Sequence, residues 1–339
     1  MVEEILIIIL ASFFIDLMFG ELPSPIHPVV WMGKLIEIMK SHFFHYSKHI
    51  CIIYGFIMTI SLIVVFIFFF TIILVCSSFN QLVFILVAAL LLSTTFSVRT
   101  LLRSAGLVAK DLDEDINKGR KSLSFLVSRP TSKLSLQEVV SATIETLTEN
   151  IVDSVVAPIF YTILIPILAF FSWPVYSSLF LQYGSTLPYP LLVIFAVAAG
   201  VSYRVVNTLD AMVGYKDPVN IDIGWFPAKL DDLLNFLPAR ITGFLIVISA
   251  FVMSLDYKQS WMIMLKDARN TPSPNSGYPM AAAAGALNVQ LCKPGTYKLG
   301  KPQINLTIDQ IKDTIKLSTL TISLFLIIFS LLLMFIILS

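Results

Sequence analysis

Long apolar stretches without charge alternate with short polar ones along the chain. Between Lys48 and Arg99, and again between Asp153 and Arg204, there is no Asp, Glu, Lys or Arg. Each window is about twice the roughly 20 residues that one helix needs to cross a bilayer. Turn-forming residues stand near the middle of each window, in CSSFN at 76–80 and QYGSTLPYP at 182–190. Each window is therefore predicted to be a helical hairpin.

The pattern predicts an all-α, polytopic membrane protein with about five transmembrane helices, forming one domain over residues 1–339, with helical loops that build the site. A shorter apolar segment, 241–255, has 15 residues before Asp256, which is short for a span. We expect this segment to dip into the membrane or to lie at its surface. The other apolar segments, each predicted to be a span, are about 4–20, 50–75, 80–98, 154–172, 189–206 and 317–338.

Basic residues set the expected orientation. Hairpins return the chain to the side it left, which places 16–49, 99–153 and 204–240 on one face. These segments carry basic residues, whereas the two hairpin tips carry none, so the shared face is predicted to be cytoplasmic. Segment 256–316 has eight basic residues and is expected on the same side. The protein is thus expected in the cell membrane with its site facing the cytoplasm.

Composition agrees with a membrane protein. Charged residues make up 13% of the chain and hydrophobic residues 57%, against about 25% charged in soluble proteins. The net charge of +1 gives no sign of a nucleic-acid partner. The three cysteines have no metal-type or redox-type spacing.

The stretch ATIETLTENIVDSVVAP, 142–158, carries Glu145, Glu149 and Asp153 at intervals of four. SLQE at 135–138 has capping-box spacing, and apolar residues from Val140 to Val155 recur at helical intervals, so the carboxylates line the opposite face. A solvated polar face is one reading. However, no basic residue follows before Arg204, and desolvated carboxylates are costly. Arginine from elsewhere, or Mg²⁺, is therefore expected to lie against this face.

Two further clusters carry polar chemistry. In YRVVNTLDAMVGY, 203–215, Arg204, Asn207 and Asp210 share one helix side, where Arg204 could simply pair with Asp210. Asp231 follows in KLDDLLNFLPAR. In SPNSGYPMAAAAGAL, 273–287, a turn leads into a small-residue helix, which suits either an anion at the helix amino terminus or close helix packing.

One motif is rejected. GTYKLGKP, 295–302, has the Gly and Lys positions of a P-loop, but Pro302 replaces the Ser or Thr that would bind Mg²⁺. No strand is predicted before it.

Five blocks together resemble a known family: DLMFGELPSPIHPVVWMGKLI (16–36), ETLTENIVDSVVAPIFY (145–161), YRVVNTLDAMVGY (203–215), KLDDLLNFLPARIT (229–242) and SPNSGYPMAAAAGALNVQLCKPGTYKLG (273–300). They look like the signatures of adenosylcobinamide-phosphate synthase, the CobD/CbiB membrane proteins of cobalamin biosynthesis. The likeness covers nearly the whole chain and is weakest across 50–98.

The resemblance implies an ATP-dependent amide ligation. Adenosylcobyric acid would be joined through its free propionate to (R)-1-amino-2-propanol or its phosphate, through an acyl phosphate, with ATP and Mg²⁺ required. Other membrane-bound enzymes of cobalamin assembly are expected partners besides the bilayer. The residues expected to act in catalysis are Glu145, Glu149, Asp153, Arg204, Asn207 and Asp210. Those expected to bind substrate or phosphate are His27, Arg129, Thr131, Arg240, Arg269, Asn275, Ser276 and Gly277. The candidate Mg²⁺ ligands are Glu145, Glu149, Asp153, Asp210 and Asp231.

One departure from the family pattern concerns SRPTS at 128–132, where Ser128 and Pro130 stand in place of the Gly and Asp of a Gly-Arg-Asp-Thr type motif. Two rival functions follow from the sequence: a non-catalytic membrane sensor or regulator of the same superfamily (AmpE-like), and a transporter. Charges at span ends and the lack of an inverted repeat argue against a transporter. A Glu149→Gln variant separates enzyme from sensor.

Overall fold

The computed structural model describes residues 2–41, 47–180, 189–215, 217 and 220–338, with the side chains of 172–180 and 189 outside the description. Most of the predicted turn at 182–190 therefore lies outside the described residues. The helices are α1 Val2–Phe19, α2 Pro28–Ser41, α3 Lys48–Ser77, α4 Gln81–Ser93, α5 Val98–Glu114, α6 Ile116–Ser124, α7 Leu136–Ile151, α8 Ala157–Phe180, α9 Tyr189–Val213, α10 Trp225–Leu234, α11 Phe236–Val252, α12 Tyr257–Asp267, α13 Gly277–Ala286 and α14 Ile308–Leu338. One hairpin of β1 Gln290–Lys293 and β2 Tyr297–Gly300 is added.

The expected all-helical, multi-pass architecture is confirmed. Within the described residues, five helical stretches are long and apolar enough to cross a membrane: Lys48–Ser77, Gln81–Glu114, Leu136–Phe171, Pro190–Val213 and Ile308–Leu338. Helix α1 is not among them, since it carries Glu3, Glu4 and Asp16. Helices α10 and α11 are long and apolar enough to cross a membrane only when they are taken together, and they meet at a bend of 44°. Such a bent pair is typical of a broken span or of a re-entrant segment. The prediction that 241–255 dips into the membrane or lies at its surface stays a prediction.

Helices α3 and α14 each present a large exposed apolar surface, as a lipid-facing helix does. Only 28% of the most apolar window of each is buried inside the protein, and side chains such as Phe68 and Phe335 are largely exposed. In a bilayer these side chains meet hydrocarbon, which a helix tolerates because its backbone polar groups are satisfied internally.

Contacts divide the chain into two compact units, each built from separate segments. The first unit comprises 1–97, 157–234 and 329–339. Helix α9 lies at its centre and packs against α2, α3, α4, α8 and α10, while α1 packs on α4. Helices α8 and α9 approach closely at Gly200, where a Cβ would lie 2.5 Å from Thr162 Oγ1. This contact supports the second predicted hairpin.

The second unit comprises 98–156 and 235–328. Its centre is α13, where Ala281 to Ala284 are all fully buried and which packs against α7, α11, α12 and the hairpin. A Cβ at Gly285 would lie 2.5 Å from the carbonyl oxygen of Gln259. The small residues of 281–286 thus serve close helix packing, one of the two roles that the sequence suggested.

The hairpin corrects one expectation. Strand β1 ends two residues before Gly295, in a region where no strand was predicted. It pairs antiparallel with β2, from Gln290 opposite Gly300 to Lys293 opposite Tyr297. Gly295 has φ +71°, a conformation that glycine adopts without strain. Because β2 rather than a helix follows this turn, the geometry of a P-loop is not formed, and its rejection stands on that ground.

Helix α7 starts as its sequence predicts. Ser135 and Glu138 form a reciprocal capping box, and the predicted apolar stripe, Val140, Ile144, Leu147, Ile151 and Val155, is buried. A π turn over Val152–Val156 comes shortly before Pro158, a residue at which a helix is expected to kink or to change direction. Proline clashes with the carbonyl one turn earlier, and the wider π turn gives the ring room.

Candidate functional site

Glu145 lies at the centre of a buried polar network in the second unit. Its Oε1 accepts a hydrogen bond from Ser141 at 2.6 Å. Its Oε2 accepts one from Arg129 Nη2 at 3.1 Å and one from the Tyr297 hydroxyl at 2.9 Å. With only 4% of Glu145 exposed, these three donors satisfy a carboxylate that would otherwise be costly to bury. The expectation that arginine from elsewhere meets the acidic face is confirmed at this residue.

Three separate segments supply the partners of Glu145. Ser141 lies one turn earlier on α7 and also accepts the backbone N–H of Cys292 at 2.9 Å, which ties β1 to the helix. Tyr297 begins β2 and lies opposite Lys293 in the hairpin, next to the pair of Cys292 and Lys298. Burial raises the pKa of the Tyr297 phenol well above its usual range, and the charge and hydrogen bond of Glu145 add to this rise. Tyr297 is therefore a permanent donor at neutral pH.

Arg129 comes from the segment SRPTS, where the sequence departs from the family pattern. Its side chain is 17% exposed, and its buried Nη1 has no hydrogen-bond partner among the described residues. The neighbouring Thr131 is buried and donates its hydroxyl to the carbonyl of Arg120 at 2.8 Å. Pro130 is exposed. The segment thus holds Arg129 against the acidic helix and leaves one guanidinium nitrogen without a partner there.

Glu149 and Asp153 continue the stripe and are half-buried. Asp153 lies within the π turn, a feature that is frequent at functional sites. Within the described part of the chain, no three Asp, Glu, His or Cys side chains converge to hold a metal ion. Mg²⁺ that arrives with a nucleotide needs only one or two carboxylates besides the phosphates. Both oxygens of Glu145 already accept hydrogen bonds from protein donors, so this carboxylate is poorly placed to bind a metal ion.

The turn before α13 joins two expected phosphate-binding residues. Arg240 donates to Asn275 Oδ1 at 3.1 Å, and its guanidinium stacks on the rings of Phe236 and Tyr278, 3.5 and 4.2 Å from their centroids. Asn275 is buried, whereas Ser276 is half-buried at the helix start.

Two other residues of this region have different surroundings. Gly277 is required by packing, because a Cβ there would lie 1.9 Å from the carbonyl oxygen of Ala268. Arg269 is exposed, in a short 3₁₀ turn over Ala268–Asn270.

In the first unit, α9 and α10 form a second polar chain. Arg204 Nη1 donates to Asn207 Oδ1, and Asn207 Nδ2 donates to Asp231 Oδ1, each at 3.3 Å. Asp210 lies further along α9 and is half-buried. A Cβ at Gly214 would come within 2.0 Å of Asp210 Oδ1, so glycine at that position leaves room for the carboxylate.

His27 and Arg204, 177 positions apart, line the same cavity. His27 also caps α2: its Nδ1 accepts the N–H of Val29 at 3.2 Å, and Pro28 occupies the first helical position, where proline is favoured. Thr94, Phe96 and Ser97, in the link between α4 and α5, also line the cavity, and so does the exposed Glu21. Burial lowers the pKa of His27; Glu21 opposes this effect and Arg204 adds to it.

Sequence reasoning missed three residues of these sites. Tyr297 stands both in the rejected P-loop match and in the block 273–300, but neither pattern indicates that its hydroxyl donates to a carboxylate 152 positions away. Ser97 and Glu21 were not singled out. Glu21 stands within the block DLMFGELPSPIHPVVWMGKLI, six residues before His27, and that proximity was the available signal. Ser97 follows an apolar helix and carries no pattern of its own.

Comparison with known proteins agrees with the resemblance drawn from the motifs. A model of the CobD/Cbib protein family matches residues 9–326. A "Probable cobalamin biosynthesis protein CobD" from Methanothermobacter thermautotrophicus is 45% identical, with 94% of each chain covered. A "Cobalamin biosynthesis protein CobD" from Dehalococcoides mccartyi is 36% identical over 88% of this chain and 87% of its own. One of the same name from Clostridium perfringens is 34% identical over 91% and 89%. No solved structure matches the chain.

Proposed function

The chain belongs to the CobD/Cbib family of cobalamin biosynthesis proteins, and we propose that it is an ATP-dependent ligase of cobinamide assembly. It joins (R)-1-amino-2-propanol, or its O-phosphate, to the free propionate of adenosylcobyric acid at the cytoplasmic side of the membrane. The observation that supports phosphoryl chemistry most directly is the half-buried pair Glu149 and Asp153 beside a carboxylate that Arg129 already neutralises.

The proposed reaction has two steps. A propionate oxygen attacks the γ-phosphorus of ATP, the bond to the β-phosphate oxygen breaks, and ADP leaves an acyl phosphate. The amine nitrogen then attacks the acyl carbon, and inorganic phosphate leaves with the C–O bond electrons. The amine loses one proton, and the products are the amide, ADP and phosphate. Activation is needed because a free carboxylate is a poor electrophile.

Roles in phosphoryl transfer follow from the contacts in the second unit. Glu149 and Asp153 would hold Mg²⁺ that enters with ATP, and the ion would neutralise charge on the phosphates. Arg240, oriented by two aromatic rings and Asn275, and the exposed Arg269 would bind phosphate oxygens. Glu145 would act as a positioning residue that fixes Arg129 through their ion pair.

Roles in the first unit follow from the chain of hydrogen bonds through Arg204. Arg204 donates a hydrogen bond to Asn207, and Asn207 donates one to Asp231. The carboxylate of Asp231 therefore orients the guanidinium of Arg204 through the side-chain amide of Asn207. Such an arrangement would hold an anionic substrate group in a set orientation. Asp210 remains a candidate base for the amine.

The proposal is tested with purified protein in nanodiscs, supplied with adenosylcobyric acid, aminopropanol phosphate or aminopropanol, ATP and Mg²⁺. Mass spectrometry detects the amide while ADP is measured. We expect product only when all four components are present, and a loss of about 100-fold or more in Glu149→Gln, since removal of a group that stabilises transition-state charge commonly costs that much.

Glu138→Gln is the matched control for this experiment. It makes the same chemical change on the same helix, and glutamine at this position keeps the capping box. Corrinoid binding should survive both substitutions. Absence of product with either amine, from folded protein that binds corrinoid, would overturn the ligase and favour the regulatory function, with Pro130 as the first residue to revert to aspartate.

A further inference from the structure

The cavity between the start of α2, the α4–α5 link and α9 has a polar, largely buried wall. Ser97 is 8% exposed and lines the cavity, and its Oγ has no hydrogen-bond partner in the described structure. A buried hydroxyl without a partner is costly, and it is the observation that points to a ligand. His27 and Arg204 line the same space.

The donors around this space favour an anionic group. His27 Nδ1 is engaged with the backbone N–H of Val29, so in the neutral ring Nε2 carries the hydrogen and is the nitrogen left for a ligand. Arg204 supplies a guanidinium whose Nη1 is held by Asn207. Thr94 donates its own hydroxyl hydrogen to the carbonyl of Leu91 at 2.7 Å and leaves Ser97 as the free hydroxyl donor on the α4–α5 link.

The size of the cavity limits what can enter. Its volume is about 110 Å³, well above the roughly 10–15 Å³ that one water requires and below the roughly 300–1,000 Å³ of pockets for drug-sized ligands. A nucleotide or a corrinoid does not fit inside. A group of phosphate size with a short carbon chain does.

Glu21 places a negative charge on the exposed side of the cavity, in contrast to the positive charge of Arg204. Its carboxylate is exposed, while His27, Thr94 and Ser97 are buried. A ligand with an anionic end toward Arg204 and an ammonium end toward Glu21 would satisfy both. The ammonium would then lie at the open side, where it could lose a proton and react.

We infer that this cavity binds the small amine acceptor by a phosphate group, with Arg204, His27 and Ser97 on the phosphate and Glu21 on the amine. The assignment of the ligand rests on the proposed function, whereas the anion site rests on the cavity itself. Binding and turnover are therefore measured separately.

The binding experiment uses the full chain in nanodiscs and isothermal titration with aminopropanol phosphate, aminopropanol, inorganic phosphate and ATP. Ser97→Ala should weaken aminopropanol phosphate binding about 10-fold or more, as expected when a hydrogen bond to a charged ligand is lost. The control is Ser93→Ala on the same helix end, because Ser93 is equally buried but donates to the carbonyl of Leu90 and lies outside the cavity. It should bind as the wild type does.

Two further variants separate the ends of the ligand. His27→Asn keeps a side-chain acceptor for the start of α2, since asparagine is a favoured cap, but removes Nε2; it should weaken both phosphate-bearing ligands. Glu21→Gln should weaken aminopropanol phosphate about 10-fold and leave inorganic phosphate unchanged or tighter.

Equal affinities in Ser97→Ala and Ser93→Ala would overturn the inference, as would ATP displacing aminopropanol phosphate from the site. Amide formation with an unchanged KM for the amine in Ser97→Ala would overturn the cavity assignment and leave the ligase intact. Binding that depends on Ser97 without any turnover would overturn the ligase and support the anion site.

Discussion

The Glu145 network makes a quantitative prediction about stability. Tyr297→Phe removes one hydroxyl donor from Glu145 Oε2, whose bond from Arg129 at 3.1 Å remains. Hydrogen bonds to charged groups contribute roughly 1.5–3 kcal/mol. Because Tyr297 is half-buried and one donor to the same oxygen survives, we expect a loss of about 1–2 kcal/mol.

Glu145→Gln should cost more. It leaves the guanidinium of Arg129, only 17% exposed, without its counter-charge, and breaking a buried ion pair from one side costs roughly 3–5 kcal/mol. We expect about 3 kcal/mol. In the Glu145→Gln background, Tyr297→Phe should then cost about 1 kcal/mol less than alone, because its charged acceptor has gone.

The assay is reversible unfolding in mixed micelles by a double-mutant cycle, with Tyr278→Phe as the control that keeps the ring stacked on Arg240. The pH dependence is a second check. The folded-state pKa of Tyr297 is raised, so its stabilisation is complete below about pH 10, the unfolded value, and is lost as pH rises above it. Tyr297→Phe should lose that dependence. An effect below about 0.5 kcal/mol, or equal effects in both backgrounds, would refute the network.

Three other predictions follow. Folding lowers the pKa of His27, so the stability that the neutral ring contributes is complete above about pH 6.5 and is lost as the pH falls below it. The melting temperature of the wild type should therefore fall more between pH 7.5 and 5 than that of His27→Asn. Equal falls would contradict this prediction. Gly277→Ala should unfold or severely destabilise the protein, because the added Cβ would lie 1.9 Å from a backbone carbonyl oxygen. In the same unfolding assay the control Gly106→Ala, whose Cβ would have its nearest neighbour at 3.9 Å, should be neutral or stabilising by up to about 1 kcal/mol. A cysteine replacing the exposed Asn270 in a cysteine-free background should react with impermeant maleimide only from the cytoplasmic side, and labelling from outside would overturn the predicted orientation of 256–316.

Local signals predicted most of the helices. The capping box at Ser135 and the apolar stripe of α7 were visible because both are encoded within a few turns of one helix. The π turn before Pro158 was not, since the sequence indicates that proline disturbs the helix but not which local geometry absorbs it. The strand before Gly295 was missed because QLCK is too short to show a period of two.

Charge patterns locate acidic and basic groups along the chain but do not indicate what those groups contact. The stripe of Glu145, Glu149 and Asp153 looks uniform along the sequence, yet the fold divides it. Glu145 receives three donors from an arginine loop, its own helix and a β-hairpin, whereas Glu149 and Asp153 stay half-buried. Such partners arrive by tertiary contact over 16 and 152 positions, which no local pattern encodes.

The contacts made on folding also change which residues are expected to bind a ligand, and Glu145 and His27 are the two examples. Glu145, the first member of the stripe, is poorly able to accept a metal ion, because both of its oxygens already accept hydrogen bonds from protein donors. His27 carried the weakest signal, yet it caps α2 with one ring nitrogen and lines a cavity shared with Arg204. A side chain that binds a ligand needs a hydrogen-bond donor or acceptor that no other protein group already uses. The sequence gives the type of side chain but not whether its polar atoms are still available. Whether it is still available for a ligand is decided by the contacts that folding makes first.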